Sequence, residues 1–397
     1  MLSWKAKKIR SLGGGGRIIA AGNPSRHVGE TQRKMNMKNN RKNLAASALS
    51  ASLLLATGFA PAATAAGIID LGLYAVGEGV NNSGQAVGRI GVGLSTAFLY
   101  SNGTSTSLGA LGSLGSDARA INNAGTIVGG SPANDGKSKA FVYQNGTMTN
   151  LGTLGGNYSE AWAISPNGMI VGDSTLAGDS TRNAFLYSGS MSNLGNRGGL
   201  YASAAGINDS GSIVMTDRTG AGNTFEGYLY SGGSATKLGT LGGLFNVPSG
   251  INASGQIVGT SETAGGILHA YLDTNGTLTD IGSSLGGHIS FGNAIDDNGD
   301  IVGAAERGNG NVGAFLYANG AMIDLNSLLP AGSGWTDLDT AYGISNDGTK
   351  IVGTGTFNGN AHGFELDLSV TATPEPGSMG LLAAGAAMLA YRLRRRK

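Results

Sequence analysis

One short phrase, G-x-I-V-G or a near variant of it, returns seven times between Gly84 and Gly353. The copies start at Gly84, Gly125, Gly168, Gly211, Gly255, Gly299 and Gly348. An A-x-x-I-N-like turn stands before them, as in Ala118–Asn122, Ala161–Ser165 and Ala204–Asn208. An A-F-L-Y-like run follows, as in Ala97–Tyr100, Ala140–Tyr143, Ala184–Tyr187 and Ala314–Tyr317, and then a d-L-G step such as Asn150–Gly152 or Asp280–Gly282. A period in the low-to-mid forties built of short strands marks an array of like supersecondary units.

Read as backbone, one cycle is four strands. In residues 158–195, Tyr158–Ser165 and Met169–Ser174 flank the turn Ser165–Gly168, and Ala184–Tyr187 and Met191–Leu194 flank Ser188-Gly189. Other copies of the first turn (Asn122–Gly125, Asn208–Gly211, Asp296–Gly299) also put Asn, Asp or Ser first and Gly fourth, a type I pattern. The second turn is Asn-Gly at Asn102, Asn145, Asn275 and Asn319, a strong hairpin signal. Phe185 and Tyr187 point one way and Ala184 and Leu186 the other, so the sheet needs cover on both faces. Four-stranded antiparallel sheets stacked around an axis supply it. The expected fold is all-β, a seven-bladed β-propeller, with a β-solenoid as the alternative. Ile68–Gly72 is a fourth-strand segment standing ahead of the first unit, and the seventh unit stops at its third strand, Gly363–Leu366. The N-terminal strand is therefore expected to close the ring. Met215 replaces the last Gly of the fourth copy, and Lys350 is an extra residue in the seventh, expected as a bulge. Ser327–Asp339 is the longest link between units.

Charge is segregated along the 397 residues. Eleven Lys/Arg lie in residues 1–42 and five in the last six, which leaves ten against 23 Asp/Glu between Gly67 and Thr373, near −13. A body of that sign repels phosphate backbones, so nucleic acid is an unsuitable partner. With no Cys, disulfides and Cys-ligated metal or redox sites are excluded.

Both ends read as addresses. Lys38, Arg41 and Lys42, the apolar run Leu44–Ala60 and the small-x-small Ala63–Ala65 form a secretory signal peptide, cleaved after Ala65 or Ala66. Residues 1–34 precede it awkwardly. An over-long start, a long n-region and a disordered arm are the readings, with Met35 or Met37 a more ordinary beginning. At the far end, Pro374, Glu375 and Pro376 are followed by the uncharged Gly377–Tyr391 and then Arg392, Arg394, Arg395, Arg396 and Lys397. Fifteen residues make about 22 Å of transmembrane helix, short of the roughly 30 Å hydrocarbon core unless Leu393 and a snorkelling Arg392 extend it. Basic residues after the span stay cytoplasmic, with the repeats outside. These three parts in order resemble a PEP-CTERM sorting signal. That resemblance implies a Gram-negative bacterium, export across the inner membrane by the general secretion machinery, transient membrane insertion, and removal of the tail by an exosortase near Pro374–Pro376, with the protein then at the cell surface or extracellular. A permanent anchor is the alternative. The chain thus divides into residues 1–66, 67–370 and 371–397.

From Ile68 to Leu368 the cycle L-G-t-L-G-G … A-x-x-I-N-x-x-G-x-I-V-G … A-F-L-Y resembles the HAF family of extracellular repeats. The resemblance implies secretion and no defined activity. The His of the family name is present at His269 and His362, so no His-dependent role extends to the other units.

If the units are blades, strand and hairpin positions are fixed by the repeat, and binding belongs on the face of the variable loops Asp173–Asn183, Thr216–Glu226, Ser261–Leu268 and Ala304–Val312. Asp173, Asp179, Asp217, Glu226, Glu262 and Glu306 are the candidates there, either solvated loop carboxylates or a calcium or glycan site. Asp296-x-Asn298-x-Asp300 imitates a calcium loop, but Ile301 stands where a Gly is needed, and the segment coincides with a turn. His269, His288 and His362 lack metal-binding spacing, and no catalytic set stands out. No cofactor and no metal is expected, calcium apart. The expectation is a non-enzymatic surface or matrix protein that binds extracellular polysaccharide or protein. A glycan-active enzyme with paired carboxylates, or a purely structural matrix component, is the alternative.

Overall fold

The repeat dictates strands, and strands form. The computed structural model describes residues 67–199, 201–219 and 224–369, all in one compact unit. Among them are 28 strands, one 3-10 helix (Leu325–Leu328) and no α-helix. No helix of the described residues is long and apolar enough to cross a membrane. The predicted signal peptide, its cleavage at Ala65 or Ala66, and the predicted tail helix lie outside the described residues.

Seven four-stranded antiparallel meanders follow one another. In repeat 3, Gly155–Ile164 pairs with Ile170–Leu176, that strand with Arg182–Tyr187, and that with Met191–Gly195. One parallel bridge, Arg182 to Tyr201, joins repeats 3 and 4 into an eight-stranded sheet, while the other five are separate four-stranded sheets. Repeat 7 takes its fourth strand from the opposite end of the chain. Gly67–Leu73 pairs with Asn360–Asp367, matching Gly67 to Asp367 and Leu73 to His362.

The first strands of the repeats are Ala75–Val80, Asp117–Ile121, Gly155–Ile164, Tyr201–Ile207, Gly242–Ile251, Gly286–Ile295 and Trp335–Ile344. Each packs on the next, and the seventh packs on the first. The A-F-L-Y aromatic (Phe98, Phe141, Phe185, Tyr228, Tyr271, Phe315, Phe364) is buried in every repeat. In six of them it pairs across the sheet with the last Gly of G-x-I-V-G, as Phe185 does with Gly172. A Cβ on Gly172 would lie 2.0 Å from the Glu160 carbonyl and 2.9 Å from the Phe185 ring. In repeat 4, Met215 fills that place, and its partner Tyr228 is the most exposed of the seven aromatics at 8%.

Polar side chains stitch repeat to repeat. Ser116, Ser159 and Ser290 each accept the amide of the preceding repeat's third strand, at Ala97 (3.0 Å), Ala140 (2.9 Å) and Ala270 (2.9 Å). The turn asparagines reach forward: Asn81 Nδ2 donates to the Asn122 carbonyl, Asn122 to Ser165, Asn208 to Asn252, and Asn252 to Asp296. Asp347 N donates to Asn82 Oδ1 (3.3 Å), which links the last turn to the first. The extra residue near Lys350 is not a strand bulge as expected. Ser345 N donates to the Lys350 carbonyl where Asn122 N meets that of Thr126, so the added residue lengthens the turn. The Asp296–Asp300 segment is a turn too, with Asp296 Oδ1 accepting the amides of Asn298 (2.9 Å) and Asp300 (2.7 Å).

Candidate functional site

Every first strand skips one residue in its pairing, three places before the first residue of the tight turn. The skipped residues are Glu78, Arg119, Trp162, Ala205, Ser249, Asn293 and Tyr342. A bulge re-aims a side chain, and here the same bulge aims a different one in each repeat. All seven are half-buried, and they sit where the first strands pack on one another.

In repeats 1–3 this inner belt is a network of charges and aromatic rings. Arg119 ties Glu78 (3.2 Å) to Glu160 (2.9 Å), and Arg89 shares Glu78 (3.2 Å). The Glu78 and Arg119 side chains are 8% and 12% exposed. Burial pushes the Glu78 carboxyl up, with Arg119 and Arg89 pulling it back. Burial also works against the Arg119 charge, but Glu160, Glu78 and Asp117 prevail and raise its pKa. The Arg119 guanidinium stands over the Trp162 ring, 4.8 Å from its centroid.

Next to it, Asp173 is fully buried on a second strand. It accepts from Trp162 Nε1 and from Ser203 Oγ (3.0 Å), and pairs with Arg182 at 3.2 Å. Burial pushes Asp173 up to about 6, against the pull of Arg182 and the Trp162 bond. Arg182 in turn lies between two rings, 3.8 Å from the Tyr158 centroid and 5.4 Å from that of Tyr201. Both hydroxyls are raised, chiefly by burial, Tyr201 to about 12. Fixed rings beside fixed donors and acceptors suit a ligand with an apolar face and a polar edge.

The six predicted carboxylates do not gather into a loop site. Five of them stand in strands: Asp173, Asp217, Glu226, Glu262 and Glu306. Asp179 alone lies in a loop, at positive φ. Asp179, Glu262 and Glu306 perform one task in three repeats, accepting the amides of Asn157 (2.7 Å), Leu244 (2.8 Å) and His288 (2.7 Å) at the start of a first strand. Asp217 accepts the Arg197 amide, as Ser131, Ser174 and Ser261 accept those of Leu111, Leu154 and Leu241. Glu226 holds Lys237 Nζ (2.7 Å) and the Tyr228 hydroxyl (2.7 Å) beside a cleft of about 330 Å³ that also involves Phe225, Leu244 and Asn246. Of the six, Asp173 belongs to the inner belt. The two His of the third strands pair with fourth-strand acids, His269 with Asp280 (2.9 Å) and His362 with Asp70 (2.8 Å). No group of His, Cys, Asp and Glu among the described residues could hold a metal ion.

One further acid breaks the pattern. Glu365 occupies the place that Leu99, Val142, Leu186, Leu229, Leu272 and Leu316 hold in the other repeats. It is 2% exposed, and its Oε2 finds no hydrogen bond. Burial pushes it up to about 7, Lys350 pulling down and Asp367 pushing further.

Residues 372–397 match the PEP-CTERM protein-sorting motif, which implies processing by an exosortase, export, and surface sorting in Gram-negative bacteria. No curated protein is matched by the chain. Among solved structures, a puromycin-hydrolyzing peptidase of Mycobacterium tuberculosis is similar at TM-score 0.51 and 13% identity, over 75% of this chain and 52% of the peptidase. The chain thus spans about half of that enzyme's length. An oligogalacturonate lyase from Vibrio parahaemolyticus is similar at TM-score 0.51 and 10% identity, over 77% of this chain and 92% of the lyase. At such identities the likeness is one of fold.

Proposed function

We propose that the chain is an exported, closed seven-bladed β-propeller that binds extracellular polysaccharide on its inner belt and does no chemistry on it. Closure is supported by the packing of the seventh first strand on the first, by strand Gly67–Leu73 completing the seventh sheet, and by the Asp347–Asn82 hydrogen bond. Binding rests on a single observation: one bulge, repeated seven times, offers Glu, Arg, Trp, Ala, Ser, Asn and Tyr. A purely structural ring has no need of that variety. Trp162, Tyr158 and Tyr201, already stacked on the guanidiniums of Arg119 and Arg182, supply apolar ring surface against which a sugar could pack, and the belt's charged groups offer partners for hydroxyls.

A glycan-active enzyme is the second reading, favoured by the convergence of Glu78 and Glu160 on one guanidinium. Hydrolysis needs two carboxylates about 5–9.5 Å apart with the sugar between them. Here Arg119 fills that space, so the pair serves better as a clamp than as acid and nucleophile. The test is a glycan array probed with residues 67–373, wild type against a Trp162→Ala/Tyr201→Ala variant of matched thermal stability. The double variant should lose binding by at least about tenfold. Equal binding by both proteins, or none by the wild type, rejects the inner belt as the site. Release of new reducing ends that Glu160→Gln abolishes would establish the enzyme.

A further inference from the structure

The two ends of the described chain leave the fold side by side. Gly67 pairs with Asp367, and Leu368 N donates to the Thr349 carbonyl (2.8 Å), so one strand begins and the other ends at the rim of tight turns. The predicted cleavage after Ala65 or Ala66 falls one or two residues ahead of that rim. Pro374 follows Ser369 by five residues, which fully stretched span no more than about 18 Å. A tail entering a bilayer beyond Pro376 therefore keeps this rim toward the membrane. The links between repeats and the loops between second and third strands are turned away.

The rim presents Asn82, Asn123, Asn167, Asp209, Asp297 and Asp347, neutral or acidic side chains bonded from turn to turn. The nearby cation, Lys350, is held by Asp367 at 2.7 Å. Anionic headgroups are gripped by clusters of Lys and Arg, and the described residues of this surface form no such cluster. It is suited to meet a protein.

The geometry points to the rim of seven tight turns as the surface that docks on the membrane-embedded enzyme removing the tail, with the opposite face directed outward. The proposal rests on the strand register and the sorting motif at 372–397, and is independent of the polysaccharide reading.

The chain has no cysteine, so single cysteines can be placed at will. Ala124→Cys and Ala253→Cys lie exposed on the rim, and Asn134→Cys and Ala264→Cys lie exposed on loops at the far end. Each full-length variant is presented to the processing enzyme in membranes before and after attachment of a polyethylene glycol maleimide, and tail removal is timed by intact mass. Each variant serves as its own control for folding. Modification at 124 or 253 should slow removal by at least about tenfold and modification at 134 or 264 by less than about twofold. Equal slowing at all four positions, or stronger slowing at the far pair, overturns the proposal. Retention of the processed, tail-less protein on vesicles of anionic phospholipid would also overturn it, since lipid would then be the occupant of the rim.

Discussion

Around the inner belt one backbone carries two different contents. In repeats 1–3 the bulged Glu78, Arg119 and Trp162 engage other side chains, Arg89, Glu160 and Asp173 among them. In repeats 4–6 the same seat holds Ala205, Ser249 and Asn293. There the hydrogen bonds go to backbone, Ser249 Oγ to the Gly292 carbonyl (2.6 Å) and Asn293 Nδ2 to that of Ala341 (2.8 Å). Turn, glycine and buried aromatic recur in both halves because packing demands them. The belt residue does not recur, because the bulge forms around any side chain. Buried ion pairs seldom repay their desolvation better than apolar residues of similar volume. Repeats 4–6 fill this seat without charge, their ion pairs lying elsewhere (Arg197–Asp217 at 3.7 Å, Arg307–Asp337 at 2.8 Å), so the fold does not require charge there, and the proposed ligand gives the seat charges of repeats 1–3 a role.

The largest expected effect is that of Arg119→Ala, which strands Glu78 and Glu160 with their partner gone. It should cost about 3–5 kcal/mol in urea unfolding. Replacing the triad together (Glu78→Leu, Arg119→Met, Glu160→Leu) should leave stability within about 1 kcal/mol of wild type or above it, while abolishing ligand binding. A triple variant as unstable as Arg119→Ala would mean that the network holds the fold, and the contrast between halves would fall.

Next comes the seam where repeat 7 meets repeat 1. Glu365 ionises near 4.5 unfolded and at about 7 folded, so in that window the native state holds the extra proton. Stability should therefore fall as pH rises from about 4.5 to 7 and level off above, by up to roughly 3 kcal/mol. Asp173, raised to about 6, adds a fall over a lower window that opens near 3.8. Thermal unfolding of Glu365→Leu across pH 4–8 should lose the first component and keep the second. Identical pH profiles for variant and wild type would acquit Glu365.

In the neutral half, Ser249→Ala and Asn293→Ala should each cost about 1 kcal/mol, the worth of one hydrogen bond to backbone. Ala205→Ser should fall within about 0.5 kcal/mol of wild type. A loss above about 2 kcal/mol there would show that the seat in repeat 4 is as constrained as its neighbours.

Most of the strand pattern was legible because the signals were local and recurrent. Asn-Gly at 102, 145, 275 and 319 does adopt positive φ at both residues, and Ile68–Gly72 does lie within a strand paired to the seventh repeat. Asp173, Asp217, Glu262 and Glu306 fall in strands and not in loops because second strands run past their apolar stretch. Pairing continues through Ser174 to Leu176 and through Asp217 to Thr219, where side-chain type no longer reports the backbone. The bulge could not be read, since it leaves the spacing of A-x-x-I-N unchanged in every copy. Its consequence was visible all the same: the first x of that motif, the variable place inside the most regular phrase, is the belt residue in each repeat where the phrase is clear.

The strand borrowed from the N-terminus also acts as a clock. Asp70 and His362, bonded in the folded protein, are 292 residues apart. Six meanders can form from neighbouring segments as the chain emerges, whereas Gly67–Leu73 must wait as an unpaired edge for nearly the whole of synthesis. Its partner strand ends at Asp367, and the sorting motif begins at residue 372. The last sheet can be finished only when the address is about to appear. Assembly and dispatch are thereby synchronised, and a chain cut short before its final strand has neither a completed seventh sheet nor a tail to present.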